Sequence, residues 1–228
     1  MLRLTAALCM VLVGSVVTAG LGEDMRTVSV RELPEPRLES KVSVEKAISK
    51  RRSRRSYADR SLDLEQLAQL LWAAQGITGP KGVKRAAPSA GGTYPMSVYV
   101  SVRREGVANL DAGVYHYKPH RHALETVRTG DLRSDLVAAS GGKYLKTAPA
   151  VLIVAGDYSR TTRKYPERGR RYVLLEAGHI CQNVYLQAEA LGLATVTVGG
   201  FNDSAVRRAL GMPEEYVPFE LMPVGHPK

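Results

Sequence analysis

The sequence predicts an α+β domain with helices packed on a central mixed β-sheet. Three observations carry that reading. Segments of helical period recur, chiefly over 63–76, 171–191 and 203–210. Between them stand short apolar runs of strand length, including the continuous run Ala150–Ala155 expected of a strand buried on both faces. The spacings imply hairpins in one stretch and longer crossovers elsewhere, so neither a pure helical bundle nor a pure sandwich fits. With 228 residues, 44% hydrophobic and 24% charged, the chain can bury one sizeable core, and a disordered polymer is excluded. Its 21 Gly and 12 Pro follow no period, which excludes a collagen-like chain, and no solenoid repeat is found.

The elements follow in order. Arg3, the uncharged run Leu4–Val17 and the small-residue site Val17-Thr18-Ala19 have the pattern of a secretory signal peptide over residues 1–19. An uncleaved membrane anchor is the alternative, since the uncharged run to Gly22 is just long enough to span, and a buried core helix is a third. Residues 20–40, with Pro34 and Pro36 and no apolar period, read as an extended linker or arm, and 41–228 as the folded domain. Ser43 caps a helix Val44–Arg51, with Glu45 in its first turn. Asp63, with Gln66 in the capping-box position, begins a helix that Gly76 ends. The Gly/Ala/Ser/Pro-rich stretch 77–95 is long for a plain connection, and such loops carry function when ordered.

Val98–Val102 is a strand; Gly113–Lys118 and Ala123–Val127 form a hairpin. Asp131 caps a short helix to about Ala139, and 160–171 is a basic loop. The longest helix runs from about Arg171 to Leu191. Its stripe Val173, Ala177, Ile180, Cys181, Val184, Ala188, Leu191 is widened by Leu174, Tyr185 and Leu186, so burial on more than one side is expected. Gly178 would let another backbone approach closely. Leu193–Val198 is a strand, Asp203 caps a helix to Leu210, and Val217–Val224 is the last strand.

Lys+Arg 32 against Asp+Glu 22 gives +10, which favours an anionic partner. A nucleic-acid binder is disfavoured: with one Trp, two Phe and tyrosines scattered away from the basic runs, no stacking platform is evident. Two cysteines, one of them in the leader, make no disulfide framework, and the five histidines lack carboxylates or Cys at ligand spacing, so no metal site is expected. His120-Arg-His122 beside Pro119 reads as a solvated turn, His179 as a packed histidine and Cys181 as core.

Three features could carry chemistry. Lys50-Arg51-Arg52-Ser53-Arg54-Arg55 puts guanidinium forks and a hydroxyl in a small volume, which suits a phosphate dianion or, alternatively, a solvated helix end. Ala87-Pro88-Ser89-Ala90-Gly91-Gly92-Thr93-Tyr94-Pro95 offers small residues and free N–H groups to a flat ligand, and lacks the lysine of a Walker loop. Val198-Gly199-Gly200-Phe201-Asn202-Asp203 is a strand end, a glycine pair and a helix start, where ligands often sit.

Taken in order, the arginine–serine element, the Pro-Ser-Ala-Gly-Gly loop, the helix Glu176-Ala-Gly-His-Ile-Cys-Gln-Asn-Val-Tyr, the Gly-Gly-Phe turn and Pro223-Val-Gly-His-Pro227 resemble the nitroreductase family of FMN-dependent oxidoreductases. The likeness spans about 41–227 and is greatest to the SagB/ThcOx branch, which includes azoline dehydrogenases. The resemblance implies a homodimer with FMN between subunits. It places Arg51, Arg52, Ser53 and Arg55 on the cofactor phosphate, and Ser89, Gly91 and Gly92 on the ring or ribityl chain. It places Gly199 and Gly200 with their backbone facing the ring, and Lys228 in the place of a terminal basic residue. Asparagine is frequent in the family where Gly92 stands, and Glu-Gly where Gly199-Gly200 stands. Lys164-Tyr165 matches the Lys-Tyr base of azoline dehydrogenases, with Lys143-Tyr144 as the other candidate. The implied function is two-electron transfer on a small-molecule or peptide substrate, with NAD(P)H, quinone or oxygen as possible redox partners. A cleaved leader would put the protein in the periplasm or outside the cell. A non-catalytic flavin-binding protein of the same fold is the alternative.

Overall fold

The computed structural model describes residues 29–79 and 82–228. The leader and the first part of the expected arm lie outside them. One seven-stranded sheet forms the middle layer. Its strands are β1 Val30–Glu32, β2 Met96–Val102, β3 Gly113–Lys118, β4 Ala123–Thr129, β5 Ala150–Gly156, β6 Ala194–Thr195 and β7 Val217–Gly225, in the order β1-β4-β3-β2-β5-β7-β6. Every ladder between these strands is antiparallel. The mixed character expected of the sheet survives only in isolated parallel bridges such as Ser53–Thr195.

Helices cover both faces. On one, α2 Leu64–Gln75 and α5 Gly169–Ala190 pack Leu67, Leu71, Val173, Ile180 and Val184 against Val98, Val100, Leu152, Val154 and Met222. On the other, α3 Arg133–Ser140 and α6 Asp203–Leu210 pack Leu136, Val206 and Leu210 against Tyr99, Val151, Ile153 and Leu221. Alternate residues of β5 feed the two layers, which is why Ala150–Ala155 shows no polar position. Burial of that unbroken run at about 25 cal/mol per Å² is a main source of the driving force.

Local signals set most boundaries. The Ser43 hydroxyl accepts from the Lys46 N–H to start α1 Val44–Lys50. A reciprocal Asp63–Gln66 capping box starts α2. Several expectations need correction. The arm is not free throughout: Val30–Glu32 adds an exposed edge strand to β4. Asn202, not Asp203, caps α6 by accepting from the Ala205 N–H. Asp131 accepts from the Arg133 and Arg104 N–H groups but stands before Leu132, which occupies the cap of α3. The basic loop holds a one-turn helix, α4 Tyr158–Thr162, and α5 begins at Gly169. The strand expected over 193–198 pairs only at Ala194–Thr195, with a lone bridge from Val198 to Leu221.

Candidate functional site

The inner side of α5 brings the three candidate features together. At its C-terminal half, the Tyr185 hydroxyl accepts from the Thr197 N–H at 2.9 Å and bonds the Ser53 hydroxyl at 3.0 Å. Ser53 also bridges Thr195, and the Arg54 N–H donates to the Thr195 carbonyl. The arginine–serine element is thereby stitched to the segment that leads into Gly199-Gly200. Arg51 lies 5.1 Å from the Tyr185 ring centroid, a cation–π distance. The strand end arrives beside this element too, since Tyr57 bridges Pro227, next to Lys228.

The basic residues divide by partner. Arg54, which the resemblance leaves off the phosphate, is bound to Glu189 at 2.7 Å. Among the described residues, Arg51, Arg52 and Arg55 form no salt bridge. Arg52 is exposed and donates to the Ser49 and Arg51 carbonyl oxygens, so part of its fork closes the end of α1. Guanidinium groups without carboxylates, set around a serine hydroxyl, match the donor set of a phosphate monoester.

One helix segment further up, the Ser89–Gly92 loop crosses α5. Gly91 and Gly92 have φ of 59° and 66°, the left-handed region. A Cβ on Gly91 would fall 2.5 Å from the Tyr165 hydroxyl and 2.7 Å from Lys164 Nζ. Gly92 has open space around it, so its demand is conformational, and asparagine tolerates the same φ. Lys164 Nζ donates to the Gly91 carbonyl at 3.0 Å, and the Tyr165 ring meets Tyr172 edge-on. The structure thus sets Lys164-Tyr165 against the glycine loop. The other pair, Lys143-Tyr144, lies in a short 3-10 turn whose Tyr144 packs into the layer on the opposite face of the sheet.

Below the loop is a buried carboxyl that the sequence did not flag. Glu176 on α5 is 2% exposed and faces Ser89 and Gln75, with Arg85 nearby. Burial pushes its carboxyl up to about 7, against the opposing effect of those neighbours. Ser89 is itself engaged, since its hydroxyl accepts from the Tyr94 N–H at 2.9 Å. Arg85 stacks 4.7 Å from the Tyr94 ring and donates to the Gln75 side chain at 2.6 Å. His179 is exposed rather than packed, on the rim of a roughly 280 Å³ cavity with Ser89 and Glu176. His122 is not a solvated turn residue: its ring nitrogens meet the Tyr117 hydroxyl and the Pro34 carbonyl.

Gly199 and Gly200 are exposed and neither has positive φ. A Cβ on Gly200 would meet nothing within 4 Å, and the atoms nearest to one on Gly199 are those of the Glu220 carboxyl, in ordinary contact. Neither backbone conformation nor packing within the chain requires glycine there. A flat group lying against the turn would. The residues present therefore fit a phosphorylated, ring-bearing cofactor: unpaired arginines at one end, small residues at the other, and about 14 Å of α5 between Glu176 and Tyr185 at about 1.5 Å per residue.

Several known proteins resemble this chain. The protein MJ1384 of Methanocaldococcus jannaschii is 45% identical over 185 residues, 81% of this chain and 91% of the relative. The microcin B17-processing protein McbC of Escherichia coli is 32% identical over 160 residues, covering 68% of this chain and 59% of McbC. The NADPH-flavin oxidoreductase of Vibrio harveyi is 31% identical over 114 residues, covering 46% of this chain and 48% of that protein. In the crystal structure of the Ralstonia eutropha JMP134 protein Reut_A1228, the same fold superposes with a TM-score of 0.75 at 30% identity, covering 87% of this chain and 90% of that one. Residues 48–226, which hold every element of the candidate site except the Pro227-Lys228 end, match the pattern of the nitroreductase family, and the chain belongs to that family.

Proposed function

We propose that the protein is an exported, homodimeric FMN-dependent oxidoreductase that carries out two-electron hydride transfer on a small-molecule or peptide substrate. The observation that carries the cofactor is the set Arg51, Arg52 and Arg55, which have no carboxylate partner among the described residues, tied through Ser53, Tyr185 and Thr197 to a glycine turn that the chain itself does not require. Family membership and the flavin oxidoreductase of Vibrio harveyi support the same choice. The bound flavin supplies the hydride chemistry; the chain supplies binding, orientation and proton handling.

Arg51, Arg55 and the Ser53 hydroxyl hold the phosphate, and Lys228 stands at the adjacent strand end. The backbone of Ser89–Gly92 and of Gly199-Gly200 gives flat contact surfaces. Lys164 Nζ, fixed on the Gly91 carbonyl, and the Tyr165 hydroxyl beside it are the groups placed to hold or take a proton at the loop. A peptide substrate is supported by the likeness to McbC, a protein that processes microcin B17.

The second subunit is supported by the outer side of α5 and α1. Leu174, Leu175, Val44 and Ile48 are each more than half exposed, and mid-helix Gly178 has nothing beside it. Export rests on the Arg3, Leu4–Val17 and Ala19 pattern. The absorbance spectrum tests the cofactor: oxidised flavin gives bands near ~370 and ~450 nm. Protein that stays colourless after incubation with FMN refutes the reading. The mass of the exported chain tests the leader; cleavage predicts a start near Gly20, and an intact Met1 supports an anchor.

A further inference from the structure

Glu220 lies on β7 opposite Val154 of β5. Its carboxyl reaches the underside of the exposed glycine turn: a Cβ on Gly199 would stand 3.6 Å from Oε1 and 3.7 Å from Oε2. Oε2 is buried without a hydrogen-bond partner, and Glu220 forms no salt bridge among the described residues. Cys181, on α5 between Glu176 and Tyr185, has a thiol pushed up to about 12 by burial and by the charge of Glu220. The carboxyl therefore sits directly beneath the turn. A buried acceptor left without a donor is costly, so such a group is retained where a donor arrives from elsewhere. The way in is open, because the turn is exposed and Gly200 has no neighbour within 4 Å of a Cβ position.

We propose that Glu220 is a ligand-binding residue of this site, its carboxyl accepting a hydrogen bond from an N–H or O–H donor on the polar edge of a ligand lying against Gly199-Gly200. The proposal rests on the flavin reading above, with FMN as the donor-bearing ligand. Gly199 then has a second role: its missing side chain keeps the path between the carboxyl and the ligand clear. Because Gly199 has no positive φ, an alanine fits the backbone there and its methyl group would stand in that path.

The test uses FMN titration of flavin-free full-length protein, with thermal unfolding measured in parallel. Glu220→Met removes the acceptor at similar size and is expected to weaken FMN about ten-fold, the scale of one lost hydrogen bond. Glu220→Gln keeps an acceptor oxygen and is expected to stay within about three-fold of wild type. Gly199→Ala is expected to behave like Glu220→Met. All three should unfold at or above the wild-type temperature, because none adds an unpaired buried group. Wild-type protein that takes up no FMN overturns the flavin reading and this proposal with it. Wild-type protein that binds FMN while Glu220→Met and Gly199→Ala bind it equally well overturns the proposal alone. Equal weakening by Gln and Met also overturns it, since it would tie the effect to charge or shape rather than to an acceptor.

Discussion

Replacing Glu176 with glutamine should make the protein more stable at high pH and leave it unchanged in mild acid. The side chain is 2% exposed, and burial raises its carboxyl from the ordinary 4.5 to about 7. A raised carboxyl favours folding while protonated. Its contribution is fully present below pH 4.5 and is lost as pH rises through about 7. At about 1.4 kcal/mol per pH unit, that gap is worth about 3 kcal/mol. Glutamine keeps the shape and the contacts to Ser89 and Gln75 but does not titrate. Urea unfolding of both proteins at pH 4 and pH 8 should therefore show nearly equal stability at the lower pH and a glutamine advantage approaching about 3 kcal/mol at the higher. The value of about 7 already includes the lowering by Ser89, Arg85 and Gln75, so removing the Arg85 charge should widen the gap. A difference between the two proteins that does not change with pH would show that Glu176 is solvated or paired, and would refute the argument.

Other substitutions probe the remaining links. Arg51→Ala should weaken FMN binding about ten- to a hundred-fold, as expected for a charge-assisted fork on phosphate, while Arg207→Ala should hardly matter. Arg207 lies on α6 and is occupied with the Glu214 carbonyl. Riboflavin, lacking the phosphate, should bind wild type and Arg51→Ala equally poorly; an undiminished Arg51→Ala defect with riboflavin would misplace the phosphate site. His116 stacks 4.3 Å from Tyr99 and is lowered to about 4 by burial, with Lys118 and Arg160 contributing. Its share of stability is present above pH 6.5 and is lost as pH falls towards 4, so His116→Phe should resist acid unfolding better than wild type at pH 4 and not at pH 7. Gly178→Ala should favour the helix by up to about 1 kcal/mol within a subunit. If a second subunit packs closely there, the same variant should shift sedimentation towards monomer.

Local chemistry made much of the fold legible. The Ser43 cap, the Asp63–Gln66 box, the Gly113–Lys118 hairpin strand and the unpolar β5 run all reflect interactions within a few residues or an obvious burial pattern. β1 was not readable, because all three of its residues are exposed and carry no alternation. The last helix start falls at Asn202 and not at Asp203 as expected, because both residue types are good caps and they stand one position apart. Strand direction is a tertiary property, so the antiparallel sheet could not be told from a mixed one. In the site, glycines and arginines announced themselves by composition. Tyr185 did not: by spacing it belongs to the apolar stripe, although a buried tyrosine hydroxyl needs a partner, and here it finds two. Glu176 and Glu220 were invisible because each is defined by burial that distant segments create.

The placement of three inward-facing groups on a single helix makes α5 sensitive to length in a way the loops are not. Glu176, Cys181 and Tyr185 face the glycine loop, the core beneath the sheet and the Ser53–Thr197 junction in turn. Each residue added to a helix turns everything beyond it by about 100° and advances it by about 1.5 Å. One residue inserted after Glu176 would swing Tyr185 off both Ser53 and Thr197 while leaving the composition and the apolar content of the helix almost unchanged. Point substitutions along the outer side of α5 should therefore be tolerated where insertions or deletions are not, and divergence in length should accumulate in the connections between helices and strands.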